Sequence, residues 1–159
     1  MSTEKYDSKA DTFEHIWRVG TYIRQIVADL LIRASVHDAS KLKDPEKPLF
    51  DEMTPLLKTL VYGTPEYQGS LLRLGPALTH HYAHNRHHPE HFEDGVDGMT
   101  LVDLVEMYCD WVAATRRTKG GSMKDSIEKN KARFKLSPQL VNIFENTVEF
   151  FGHETEPVA

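Results

Sequence analysis

A doublet of histidine and aspartate, His37-Asp38, is the strongest candidate for chemistry in this chain. Further histidines and one aspartate surround it, so that the order along the chain is His, His-Asp, His-His, Asp. Imidazole and carboxylate groups together suit zinc, iron, manganese, cobalt or nickel, and a single cysteine, Cys109, excludes a thiolate cluster. We therefore predict a site for one or two divalent transition-metal ions. The predicted ligands are His15, His37, Asp38, His80, His81 and Asp110.

Asp110 gives the physical argument for a metal. It lies in an otherwise apolar helical stretch, where an ionised carboxylate costs several kcal/mol unless it is paired or bound to a metal. Glu106 and Asp103, four and seven residues before it, extend an acidic stripe for which a solvated helix face is the alternative interpretation. For His15 the alternative is a histidine satisfied within the core, since it lies beside an apolar stripe.

Lys41 follows Asp38 by three residues, which predicts a position about one turn further along the same helix. We predict two catalytic residues: Asp38 orients the attacking water, and Lys41 protonates the leaving oxygen or neutralises the phosphate. A solvated helical lysine is the alternative for Lys41. Candidate substrate-binding groups come from the histidine-rich segment and from the helix after it. They are His84, His87, His88 and Arg116.

These residues together resemble the HD superfamily of metal-dependent phosphohydrolases, in particular the phosphodiesterase branch with the pattern His-Asp-x-x-Lys. The resemblance runs from about residue 15 to residue 144, and it includes the His80-His81 pair and the small residues and arginines after Asp110. It implies an all-α helical bundle that hydrolyses a phosphomonoester or phosphodiester bond of a nucleotide-type substrate. The chain also resembles a small, largely uncharacterised HD-like family common in bacteriophage genomes.

Two other functions stay open at this point. One is oxygenase chemistry, because HD proteins of the inositol oxygenase type hold two irons with a similar order of ligands. The other is a non-catalytic, metal-stabilised module that binds a nucleotide. Metal content with oxygen consumption would identify the first, and tight binding without turnover would identify the second.

Composition limits the classes of partner. The 159 residues suit one domain, 1–159, with polar tails at 1–11 and 152–159. A net charge of −5 argues against an extended nucleic-acid surface but permits a local phosphate pocket. The sequence shows neither a signal peptide nor an apolar run of about 18 residues, so we expect no membrane partner and a cytoplasmic location, in the host cytoplasm if the protein is phage-encoded. The expected partner is a small phosphate ester, and a homo-oligomer stays open.

Helices must position these groups, because apolar residues recur at spacings of three and four over most of the chain. Thr12 and Thr100 are candidate N-caps, and Ser122 and Ser137 begin the two closing helices. The predicted helices span 12–33, continuing through 34–42 with the doublet, then 49–60, 71–85, 100–117, 122–133 and 137–151, with a turn at 62–65 and a loop at 94–98.

Overall fold

The computed structural model describes residues 5–60, 64–117 and 121–154. These residues form six α-helices and three short 3-10 helices with no strand among them, which confirms the predicted all-α class. The α-helices are α1 (Lys9–Val36), α2 (Glu46–Thr59), α3 (Pro65–His84), α4 (Leu101–Arg116), α5 (Met123–Phe134) and α6 (Pro138–Phe151). The 3-10 helices span Ala39–Leu42, Pro89–His91 and Gly95–Gly98, the last within the predicted loop. The chain divides after Val36 into two compact units.

The first unit contains α1, which begins at Lys9, earlier than the predicted start at residue 12. Thr12 is not its N-cap, because the Thr12 hydroxyl lies inside the helix and donates to the carbonyl of Ser8. The backbone N–H of Lys9 instead donates to the Asp7 carboxylate at the start of the helix. His15 lies on this helix with an exposed side chain. Neither α1 nor another helix of the described residues combines the length and apolar character that a membrane crossing requires.

The His37-Asp38 doublet does not lie within a helix, so the predicted helical continuation through 34–42 is wrong. The α-helix ends at Val36, and Asp38 has left-handed backbone angles, φ 57° and ψ 11°. Aspartate tolerates this conformation better than most residues, because its short polar side chain crowds the backbone little. A 3-10 helix then carries Lys41. This turn reorients the side chains of His37 and Asp38, which would diverge by about 100° on an α-helix.

The helices α2 and α3 pack as a pair around Met53, Leu74 and Ala77. Each begins earlier than predicted, at Glu46 and at Pro65, and each contains prolines. Pro48 falls in the first turn of α2, where a backbone N–H has no intrahelical partner to lose. Pro76 lies within α3, which runs continuously through it. Of the predicted turn at 62–65, residues 62 and 63 lie outside the described residues.

A second apolar core joins α4, α5 and α6. Each of these helices begins where predicted, because the side chains of Thr100, Ser122 and Ser137 accept a hydrogen bond from the backbone N–H three residues later. Gly121 lets the chain return close to α4, since a Cβ added there would lie 2.1 Å from the carbonyl oxygen of Thr115. The buried residues of this core are Met107, Tyr108, Trp111, Met123, Ile127, Leu136, Val141, Phe144 and Val148.

Candidate metal centre

Three segments of the second unit bring histidines and carboxylates together. The turn at 37–38 contributes the doublet, the end of α3 and the loop after it contribute three histidines, and α4 contributes two acidic residues. The helix α3 ends at His84, one residue before the predicted end, and His87 and His88 lie in the loop after it, as predicted. His81, near the end of α3, is only 1% exposed.

Asp38 lies at the centre of this cluster. Its Oδ1 atom is 3.1 Å from His81 Nε2 and 3.5 Å from His87 Nε2. On the other side, His37 Nε2 lies 3.7 Å from Asp38 Oδ2 and 3.6 Å from Asp110 Oδ1. The two oxygens of Asp38 therefore face different groups of side chains.

Three sets of side chains within this cluster have donor atoms close enough to share an ion. In each set the potential ligand atoms lie within 4.8 Å of one another. The first is Asp38, His81, His87 and His88, the second is His37, His87 and Glu106, and the third is His37, Asp38 and Asp110. Four of the six predicted ligands thus lie in these sets, and Asp38 belongs to two of them.

Two buried polar atoms in the cluster lack hydrogen-bond partners among the described residues. They are Asp38 Oδ1 and His87 Nε2. Burial of a polar atom without a partner is costly, so atoms of this kind indicate a missing group. In addition, His81 Nε2 lies 3.0 Å from His88 Nε2. Two nitrogens that bind one tetrahedral zinc at about 2.0 Å are about 3.3 Å apart, so the donor set fits a metal ion.

Glu106 orients two of these histidines from α4. Its Oε1 atom is 2.9 Å from His37 Nδ1 and 3.2 Å from His87 Nδ1. Because a carboxylate can only accept, this contact favours the proton on Nδ1 of each ring. With a metal bound, each Nε2 atom would face the cluster as an electron-pair donor. Carboxylates behind metal-binding histidines commonly have this effect.

Glu46, which is 0% exposed, orients His81 in the same way, by contact with its Nδ1 atom. Its Oε2 atom lies 2.9 Å from His81 Nδ1 and accepts a hydrogen bond from Ser40 Oγ at 3.0 Å. Its Oε1 atom lies 2.7 Å from His80 Nδ1. The imidazole of His81 is therefore held with Nε2 directed toward Asp38.

The charges of the cluster favour a cation. Hydrogen bonds to Asp110 and Glu106 raise the pKa of His37 to about 10 in the absence of a metal. Burial opposes ionisation of Asp38 and Asp110, but nearby histidines, with Lys41 beside Asp38, hold the pKa of both carboxyls below the usual range. Burial, with repulsion from His87 and His81, lowers the pKa of His88 to about 3, so its ring stays neutral at pH 7. Ionised carboxylates beside a neutral imidazole are the states that a metal requires.

Three other predicted site residues of the second unit, His80, His84 and Arg116, belong to none of the described ligand sets. His80 stacks on His84 with ring centroids 4.0 Å apart and belongs to none of the three described sets, so His81 is the member of the pair that joins the cluster. The exposed His84 contacts the carbonyl of His80 through Nδ1. Arg116 donates to the carbonyl of His153. The roles of His15 as a ligand and of His84 and Arg116 in substrate binding stay predictions.

Sequence reasoning missed the roles of three acidic residues. Glu106 was placed on an acidic stripe with Asp110, with a solvated face as the alternative, but its contact with the histidines was not predicted. Asp103 is 0% exposed rather than solvated, because it caps α4 and accepts two hydrogen bonds from Arg86, at 2.9 and 3.0 Å. Glu46 had no local signal, since its partners lie 34 and 35 residues away.

Comparison with known proteins adds a family but no activity. No curated protein and no solved structure is detectably similar to this chain. A family model matches residues 4–150, a range that includes every predicted ligand. Since this match covers nearly the whole chain, the protein belongs to DUF5662, a family of unknown function.

Proposed function

We propose that this protein is a metal-dependent phosphohydrolase that cleaves a phosphomonoester or phosphodiester bond of a nucleotide-type substrate. One observation carries the proposal: the ammonium group of Lys41 lies 2.5 Å from Asp38 Oδ2, at the edge of a cluster that can hold a divalent cation. A lysine fixed beside such a cluster favours an anionic substrate. The charged oxygens of a phosphate ester could contact both the ammonium group of Lys41 and a metal ion held by the cluster.

The donor set supports a transition metal. Imidazole nitrogens with carboxylate oxygens suit zinc, manganese, iron, cobalt or nickel. The residues that would hold the first ion are Asp38, His81, His87 and His88. A second ion would use His37 and Asp110 with the other oxygen of Asp38, which belongs to both sets. A divalent ion bound here supplies a Lewis acid for the phosphoryl oxygen and lowers the pKa of water.

The chain's own groups then have separate tasks. Asp38 holds the cluster together and orients the attacking water. Lys41 is 32% exposed, so its ammonium group can meet a substrate that arrives from solvent. It neutralises charge on the phosphate and donates a proton to the leaving oxygen. Glu46 and Glu106 act behind the ligands, where they fix which ring nitrogen carries the proton.

Lys41 also separates this proposal from the alternatives. An oxygenase centre has no evident need for an ammonium group that contacts a ligand carboxylate. Protein that binds two irons and consumes oxygen would favour that alternative. Protein that binds a nucleotide tightly without turning it over would favour a binding module.

The test begins with metal analysis of protein purified without chelator. Hydrolysis is then measured over nucleoside mono-, di- and triphosphates and cyclic nucleotides, with product detection by chromatography. The key variant is Asp38→Asn, which keeps the size of the side chain and removes its charge. We expect it to lose both metal and activity, whereas Asp51→Asn, at an exposed aspartate of α2, should retain both. Undiminished metal content in Asp38→Asn would overturn the assignment.

A further inference from the structure

A cavity of about 460 Å³ lies beside the cluster, between α4 and α5. Asp110 and His88 belong to the ligand sets and also line this cavity, so the cavity adjoins the cluster. We infer that the cavity binds the organic part of the phosphate ester, and that this part is an uncharged, planar heterocycle of nucleoside size. The inference rests on the proposed function and adds a substrate-binding site to it.

The size and the walls of the cavity favour a flat ligand. Its volume falls within the range of about 300–1,000 Å³ that is usual for small-molecule sites. Three aromatic side chains line it: Tyr82, Trp111 and Phe134. The rings of Trp111 and Phe134 are nearly parallel, at 6°, with centroids 6.3 Å apart, and Trp111 is only 8% exposed. Rings held in this way give the cavity a rigid apolar wall against which a flat heterocycle can pack.

The facing wall comes from α5 and is polar. Ser126, Asn130 and Arg133 are spaced by four and three residues, which places them along one helix face, and all three line the cavity. The Asn130 amide has both a donor and an acceptor group, and the Ser126 hydroxyl can serve as either. These are the groups that hydrogen-bond the edge of a base.

The charges that line the cavity argue against a second phosphate there. Apart from Asp110, the charged lining residues in the described part of the chain are Asp125, Lys129 and Arg133. Arg133 is already paired with Glu90 at 2.6 Å. The other two, Asp125 and Lys129, lie four residues apart on α5, and their opposite charges balance. An uncharged group fits this lining, while the phosphate is left to the cluster and Lys41.

Binding can be measured without turnover through Trp111 fluorescence. Trp111 becomes the sole tryptophan when Trp17, on α1, is replaced in a Trp17→Phe background. The probes are adenosine, guanosine, cytidine and uridine 5′-monophosphates, with ribose 5-phosphate as the matched probe that lacks a base. We expect at least one nucleotide to change Trp111 emission and to bind about tenfold or more tightly than ribose 5-phosphate. Equal affinity for all five probes would overturn the inference.

Variants on α5 locate the binding site. Asn130→Ala and Ser126→Ala should each weaken nucleotide binding several-fold and leave ribose 5-phosphate binding unchanged. Lys131→Ala is the matched control, because Lys131 lies on the same helix outside the cavity and pairs with Glu128. A melting curve for each variant checks that it folds. If both cavity variants bind nucleotide as tightly as Lys131→Ala does, the inference is wrong.

The two proposals fail in different ways. All these variants should keep the metal content of the parent protein, because none of the residues belongs to the ligand sets. Hydrolysis of p-nitrophenyl phosphate without any preference for nucleotides would support metal-dependent phosphohydrolase chemistry and overturn the inference. Base-dependent binding that responds to Asn130→Ala, with no hydrolysis by metal-loaded protein, would support the cavity assignment and overturn the proposed function.

Discussion

Replacement of Glu106 tests whether a carboxylate behind the histidines controls metal affinity. One oxygen of Glu106 contacts Nδ1 of His37 at 2.9 Å and Nδ1 of His87 at 3.2 Å, so Glu106→Ala releases two rings at once. Loss of one such partner costs about 10–100-fold in metal affinity. We therefore expect Glu106→Ala to weaken zinc binding about 10²-fold, or about 2.7 kcal/mol.

Glu106→Gln separates charge from geometry. The amide keeps a carbonyl oxygen that can accept from both rings, but it loses the negative charge. Charge-assisted hydrogen bonds are about twice as strong as neutral ones, so this variant should lose about half of the same free energy, or about tenfold in affinity.

The assay is competition for zinc against a chromophoric chelator at constant pH, with a melting curve for each protein. Glu145→Ala is the control, because Glu145 is exposed on α6 and belongs to none of the described ligand sets. If Glu106→Ala binds zinc within about twofold of the wild type while Glu145→Ala does the same, Glu106 does not position the ligands.

Three further outcomes are expected. Lys41→Ala should retain its metal but lose about 10²–10⁴-fold in turnover with little change in Michaelis constant, and wild-type turnover would refute its role. In metal-free protein, the free energy of unfolding measured by urea titration should fall as the pH rises from 6.5 toward about 10, because the folded state raises the pKa of His37, and His37→Gln should flatten this fall. It should also fall as the pH drops from 6.5 toward about 3, because folding lowers the pKa of His88; a flat profile on this acidic side would contradict the burial of that ring. Asp103→Ala should destabilise the fold by about 2–4 kcal/mol in thermal melts, since it removes a helix cap and leaves Arg86 without its buried partner, and an unchanged melting temperature would count against this.

Features that depend on local hydrogen bonds were predictable from sequence. Thr100, Ser122 and Ser137 each begin a helix. The side-chain oxygen of each accepts a hydrogen bond from the backbone N–H only three residues later, so the residue type alone predicts the cap. Proline positions were less informative. Proline disfavours a helix interior, yet the first turn of α2 tolerates Pro48, and Pro76 is accommodated within α3.

The composition of the candidate site was only partly predictable. His37, Asp38, His81 and Asp110 were identified from their types and order, and they do come together. His87 joins the ligand sets because the loop after α3 turns back toward Asp38, and residue spacing within one helix holds no information about such a reversal. Likewise, Glu46 acquires its role only through the packing of α2 against α3.

The left-handed backbone conformation at Asp38 also limits which amino acids can occupy the position. At φ 57°, glycine and asparagine fit with little strain, whereas β-branched and bulky residues do not. In a saturation library, a screen for folded protein alone should therefore enrich aspartate, asparagine and glycine, and a screen for bound metal should keep only aspartate. Glutamate, which restores the charge but not the backbone preference, should be depleted in both.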